Sequence, residues 1–192
     1  MESKPLQLKK LTEAFPIRYS AGVYPDEIID VIPYIFVEDV RRNSAITEIS
    51  ITLVCNQIIK KGTKTFIKDR IKEDIFGDKK IKINLIERYR FDNKNIDDIK
   101  SLWEDYRNEL LDETKKECLV IYLMLFVDCE SFEIKECVSG DISKGVEVFV
   151  KIKNRDTYKE HISDLEIYLK DVFEKRFNLS RAVINIDLIK DN

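Results

Sequence analysis

All four prolines of this chain, Pro5, Pro16, Pro25 and Pro33, fall within its first 33 residues. Proline fixes φ and lacks a backbone N–H, so it interrupts helices and central strands. Only five glycines are spread over the 192 residues. Everything after Pro33 is therefore free to form dense regular structure, broken only by polar runs and single glycines. At 44% hydrophobic residues, the chain can bury a real core, as one large domain or two small ones.

Before that point the elements are short. Leu8, Leu11 and Phe15 fall at helical spacing, which predicts a short helix over 5–15 stopped near Pro16. The stretch 25–32 predicts a second one, with Pro25 in its first turn, Asp26 and Glu27 at its positive end, and Pro33 ending it. The run VYPDEIIDVIPYIFVEDV is unusually apolar for a tail; it either packs on the first sheet or offers an exposed patch to a partner.

The period then changes. Over 46–54, Ile49, Ile51 and Leu53 alternate with Ser50 and Thr52, the pattern of a half-buried strand. Ile67, Ile71 and Ile75 return to helical spacing over 64–76, with Gly77 as the stop. Ile81, Ile83 and Leu85 then alternate with Lys82 and Asn84 in a strand over 81–89. Residues 92–95, DNKN, are a polar break. Beyond it Ile96, Ile99, Trp103, Tyr106 and Leu110 define a strong helix. The run CLVIYLMLFV at 118–127 fits either a fully buried strand or a continuation of that helix. Strands are expected at 132–138 and 146–152, joined by the turn SGDISKG. A helix near 155–177 carries the stripe Tyr158, Ile162, Leu165, Leu169, Val172 and Phe173, with Asn178 as its cap. A last strand covers 182–189.

The two halves rhyme as strand, helix, strand near 46–89 and near 146–189, without a residue-level repeat. The expectation is an α+β fold of two small units, 1–91 and 92–192, each a short sheet packed by amphipathic helices.

Little chemistry is advertised. Glu104, Asp105, Glu109, Asp112 and Glu113 belong to a mixed charge run on a helix, which reads as a solvated face rather than a two-metal site. Cys55, Cys118, Cys129 and Cys137 form no C-x-x-C pair, and His161 lies far from them, so no zinc site is expected. Neither G-x-G-x-x-G nor a P-loop is present. No catalytic residue, metal or cofactor is expected. The start MESKPLQLKK lacks the apolar core of a secretory signal, and the longest apolar run is too short to span a bilayer. A cytoplasmic protein with free thiols, and no membrane partner, is the expectation.

Two charged stretches are candidates for binding. The net charge is -3, so nucleic-acid affinity would need a local patch. Residues 60–82 carry nine basic against four acidic residues, with Lys60, Lys61, Lys64, Lys68 and Lys72 recurring around one turn and one helix face. Gly62-Thr63 would let backbone amides approach a phosphate at the helix start. That makes a candidate nucleic-acid surface; the alternative is a lysine-rich solvated helix. Residues 92–117 carry nine acidic against five basic residues, a face that would repel nucleic acid and could meet a basic protein.

A family resemblance runs through the chain in order. Glu13-Ala14-Phe15-Pro16 is similar to an "EVFP"-like phrase, and Ile75-Phe76-Gly77-Asp78 to an "LFPG"-like turn, here without its proline. Asn84 to Phe91 resembles "KIIEKFRLS", Trp103 to Leu111 resembles "YKDSILLEL", and Ile121 to Leu125 an "EYNML"-like segment, with Leu123 where a polar residue is usual. Val172 to Leu179 resembles an "IFxERxGL"-like helix end. Together these resemble the N-terminal region of PolC-type DNA polymerase III, the replicative polymerase of low-GC Gram-positive bacteria.

The resemblance implies a non-catalytic region ahead of the exonuclease and polymerase modules. It implies a first domain like the polymerase-binding end of the clamp-loader tau subunit and a second, truncated domain of KH type. Replisome proteins such as tau are then the implied partners, with single-stranded DNA as the alternative.

Overall fold

The computed structural model describes residues 8–20, 22–77, 79–90 and 95–190, apart from the side chains of 112, 113, 116 and 117. The fold is α+β, with one four-stranded and one three-stranded sheet. The chain divides into two compact units, Met1–Arg90 and Phe91–Asn192. Most of the polar break at 92–95 lies outside the described residues; its last member, Asn95, opens a helix.

In the first unit β1 (Lys9–Lys10), β2 (Phe36–Arg42), β3 (Glu48–Cys55) and β4 (Lys82–Tyr89) form a sheet in that order. The first two pairings are antiparallel; β3 and β4 are parallel and in register over eight residues. A parallel pair needs a crossover. The helix among the later elements supplies it, running over Lys61–Ile71 and widening into a π-type turn over Lys72–Phe76. Gly77 ends it at φ +56, a region costly for any residue with a Cβ.

The early helices are shorter than their spacing suggests. Only α1 (Leu11–Ala14) forms within 5–15, because Lys9 and Lys10 pair with β2 instead; residues 5–7 are outside the described set. The second stretch splits into α2 (Asp26–Ile29) and a 3-10 turn over Ile32–Tyr34, with Pro33 inside the turn rather than ending a helix. With those two assigned, the crossover helix is α3. The apolar run 23–40 packs in part: Val31, Ile32, Ile35 and Val37 are buried, whereas Val23, Tyr34 and Val40 are exposed. Strand β3 departs from simple alternation. Residues 51 to 55 are all buried: Ile51, Leu53 and Cys55 on the helix side, and Thr52 and Val54 on the other, where they lie between side chains of β2 and β4.

The second unit begins with α4 (Ile96–Glu117). The Asn95 side chain accepts from the N–H groups of Asp97 and Asp98 at 2.9 and 3.0 Å, and the Asp98 carboxylate accepts from the Asn95 N–H at 3.0 Å. This reciprocal cap satisfies orphan donors of the first turn. Cys118 is extended and breaks the helix; α5 (Leu119–Tyr122) restarts it and widens into a π-type turn, Leu123–Val127. Apart from Cys118, the run 118–127 is thus helical.

Next come β5 (Cys129–Glu136) and β6 (Val146–Lys153), antiparallel. A 3-10 turn over Asp156–His161 leads into α6 (Ile162–Lys170) and a π-type turn, Asp171–Arg176, before β7 (Ala182–Ile189) pairs parallel to β6. Asn178 takes the left-handed conformation, φ 55, after α6. Gly145 is required by space: a Cβ there would lie 2.3 Å from the Arg181 carbonyl oxygen.

Trp103 anchors this core. Its ring lies 4.3 Å from Phe132 and 5.5 Å from Phe173, and Phe173 in turn meets Phe177 edge-on at 5.2 Å. Each unit therefore holds an antiparallel pair followed by a helix crossover to a parallel strand.

Candidate functional site

The five lysines singled out from the sequence all lie on or beside α3. Lys60 precedes the helix, with its ammonium 3.7 Å from the exposed Glu27 carboxylate. At 3.6 residues per turn, Lys61, Lys64, Lys68 and Lys72 fall within an arc of about 80°. They run along the flank of the face that buries Thr63, Phe66, Ile67 and Ile71. Lys64 is committed. The Lys64 Nζ donates to Glu87 Oε1 at 2.6 Å, and both side chains are largely buried, 18% and 6% exposed. Gly62 sits in the first turn of α3, and a Cβ there would meet open space. Its backbone does not demand a glycine, so the residue gives no sign of a phosphate approach.

A second group of lysines gathers where α3 ends. Lys72, Lys79, Lys80 and Lys82 line a cleft of about 510 Å³ together with Thr47 and Gly77. The turn at Gly77 returns the chain to β4, and Lys82 N–H donates to the Thr47 carbonyl at 2.9 Å, closing the cleft against the β2–β3 turn. Lys82 is partnered by Glu48 at 3.3 Å. Glu48 also accepts from the Asn84 amide at 2.6 Å, and that bond, then Lys82, holds its carboxyl below the usual range. Lys72, Lys79 and Lys80 are exposed and have no ion pair among the described residues. Lys79 and Lys80 were not singled out from the sequence. They sit in a turn, outside any helical period, and only the local charge count marks them.

Each sheet also has a face turned away from its helices. In the first unit Lys82, Asn84, Ile86 and Arg88 point there from β4, and Asp39 and Arg41 from β2. Ile86 is 45% exposed. Arg88 and Arg90 both bond Glu38, the former at 2.8 Å. In the second unit the corresponding face carries Glu133, Lys135, Glu147, Phe149, Lys151 and Asp187. The Lys135 ammonium lies 5.0 Å from the Phe149 ring and 2.9 Å from Glu133. Charges of both signs and half-buried apolar groups alternate on both faces.

A further cleft of about 320 Å³ lies between α4 and β5, with Trp103, Phe132 and Ile134 as its apolar walls and Lys100, Glu104, Glu133 and Lys135 at its rim.

A buried polar cluster surrounds Asp128. Asp128, buried between the π-type turn after α5 and β5, accepts from Arg155 at 2.6 and 2.7 Å and from the Tyr158 hydroxyl. Arg155 first, then Tyr158, hold the Asp128 carboxyl below its ordinary range despite burial. Burial and the Asp128 carboxylate push the Tyr158 phenol up to about 12.

Among the described residues, no group of three or more His, Cys, Asp or Glu is placed to hold a metal. The four cysteines are free thiols, and burial pushes the Cys55 and Cys129 thiols up, away from the reactive thiolate. His161 Nδ1 lies 2.9 Å from Asp164, one helical turn on. Among the described residues no helix is long and apolar enough to cross a membrane.

No protein-family model matches the chain, and no curated protein matches it.

Proposed function

We propose that this chain is a non-catalytic, cytoplasmic docking region of a bacterial replicative DNA polymerase of the PolC type, acting through contacts with replisome proteins such as the clamp-loader tau subunit. The ordered resemblance from Glu13 to Leu179 motivates the family. The observation that carries docking is the pair of helix-free sheet faces, where charges of both signs surround Ile86 in one unit and Phe149 in the other. Such mixed surfaces suit a protein interface, with apolar groups inside a polar rim, better than a polyanion. The cleft beside Trp103 has the size and apolar walls to receive a partner's side chain.

The test is a pull-down with purified tau and other replisome subunits, one at a time. Retention of tau supports the reading; retention of none at micromolar concentration overturns it.

A second reading is single-stranded nucleic-acid binding, favoured by Lys72, Lys79 and Lys80, which line one cleft and have no ion pair among the described residues. A KH domain grips nucleic acid with a G-x-x-G loop. This sequence contains no G-x-x-G, and Gly62 lies in the first turn of α3. Binding by this route would rest on charge alone, and would fall steeply with salt.

A further inference from the structure

Strand β7 is an edge. Among the described residues β6 is its only neighbour. The hydrogen bonds to β6 define which residues face inward. Val146 N–H donates to the Arg181 carbonyl at 3.0 Å, and Asn154 N–H to the Ile189 carbonyl at 2.8 Å. Main-chain groups alternate sides along a strand. The odd-numbered residues of β7 therefore bond β6, and Ala182, Ile184, Ile186 and Leu188 aim their N–H and C=O groups outward. The first of these is already occupied: Ala182 N–H donates to Glu174 Oε1 at 2.9 Å. Ile184, Ile186 and Leu188 remain.

Exposed edges are ordinarily blunted by charge, proline or a bulge, because they template pairing with another chain. The other edge of this sheet follows that rule. β5 carries Glu130, Glu133, Lys135 and Glu136, and its register shifts between Cys129 and Ser131. β4, at the edge of the first sheet, carries Lys82, Glu87 and Arg88. By contrast β7 reads AVINIDLI, holds one charge, and keeps register with β6 over all eight pairs.

We infer that β7 pairs antiparallel with β7 of a second copy of this chain, about a twofold axis at Ile186. The sequence is self-complementary about that residue. With Ile186 opposite its own copy, Ile184 faces Leu188 of the second copy and the reverse. The three outward residues then satisfy one another through about six main-chain hydrogen bonds. On the other face Asn185 meets Asp187, so an amide donor faces a carboxylate, and Val183 meets Ile189. A centre at Asp187 sets two carboxylates opposite each other. A centre at Asn185 needs the Ala182 N–H, which Glu174 holds. The half-buried side chains of Ile184, Ile186 and Leu188 lie on the α6 side and are covered in the paired state. The resulting sheet has six strands, in the order β5-β6-β7-β7-β6-β5. This inference does not rest on the replisome reading.

Sedimentation velocity of the 192-residue chain over a range of concentrations tests it. The wild type sediments as a reversible dimer at high concentration. Ile186→Pro removes an outward N–H without touching a bond to β6, so the variant keeps its far-UV circular dichroism while its dimer affinity falls by at least about tenfold. A paired Ile186 would sit about 5.5 Å, Cα to Cα, from its counterpart, within disulfide reach. Mild oxidation therefore cross-links Ile186→Cys into a dimer faster than it does Ile184→Cys or the wild type. A wild type monomeric at about 100 μM, a dimer that survives Ile186→Pro, or equal cross-linking of the two cysteine variants each overturns the proposal.

Discussion

Lys64 on α3 and Glu87 on β4 form an ion pair of 2.6 Å inside the first unit, with only 18% and 6% of their side chains exposed. The pair joins the crossover helix to the edge strand it leads to. It also takes Lys64 out of the set of cations available to a polyanion. Removing one partner of a buried pair leaves the other charge uncompensated, typically at about 3–5 kcal/mol. Lys64→Met is therefore expected to destabilise the chain by about 3 kcal/mol, less if water reaches Glu87. Lys64→Met/Glu87→Leu recovers most of that loss. Urea unfolding of the single and double variants measures both, and a Lys64→Met midpoint equal to wild type contradicts the assignment.

That pair changes how the nucleic-acid reading has to be tested. Charge reversal at Lys64 would damage folding and binding together. Lys72→Glu, Lys79→Glu and Lys80→Glu combined leaves the core untouched. If single-stranded DNA binds through the cleft, this variant lowers affinity at low salt and flattens the log–log salt slope by up to about 2, since each lost phosphate contact is worth about 0.7. Fluorescence anisotropy with a labelled oligonucleotide reads this, and an unchanged slope removes the cleft from the account.

The Asp128 network sets an acid limit for the second unit. Its carboxyl is depressed in the folded chain, chiefly by Arg155. Its contribution is present above the unfolded value of about 3.9 and is lost as pH falls through the folded value. Thermal stability should drop below about pH 4, and Asp128→Asn should be less stable than wild type at pH 7 while losing less on acidification. Equal loss in both proteins would show that other carboxylates control the acid transition.

Tyr158 sets the alkaline counterpart. Its phenol is pushed up to about 12 in the folded chain. A raised acid contributes stability below the unfolded value of about 10 that is lost as pH rises through that window. Ultraviolet titration should show tyrosine ionising late, and Tyr158→Phe should remove one phenol from that late step. A normal titration for every tyrosine contradicts the buried hydrogen bond to Asp128.

The elements that were legible in the sequence are those whose burial follows one period. The stripe from Tyr158 to Phe173 and the alternations in β4 and β6 are of that kind. β2 was not legible, for a definite reason. Val37 and Val40 both lie on the helix side, paired with Leu53 and Ile51, yet they are three residues apart. A bulge between Val37 and Asp39 inserts the extra residue and destroys the alternation. The run 118–127 has too few polar residues to show any period, and only the extended Cys118 separates it from α4. Among candidate site residues, the row on α3 was readable from its spacing. The commitment of Lys64 was not, because Glu87 is 23 residues away and its burial depends on the parallel pairing of β3 and β4.

Calorimetric titration of the 192-residue chain with the purified clamp-loader tau subunit tests the docking account most directly. The account predicts saturable, stoichiometric binding with a Kd of about 1 μM or tighter, about −8 kcal/mol, that survives charge reversal at Lys72, Lys79 and Lys80. No binding by tau at about 100 μM, with single-stranded DNA binding tightly at physiological salt, would contradict it and make the lysine cleft the functional site.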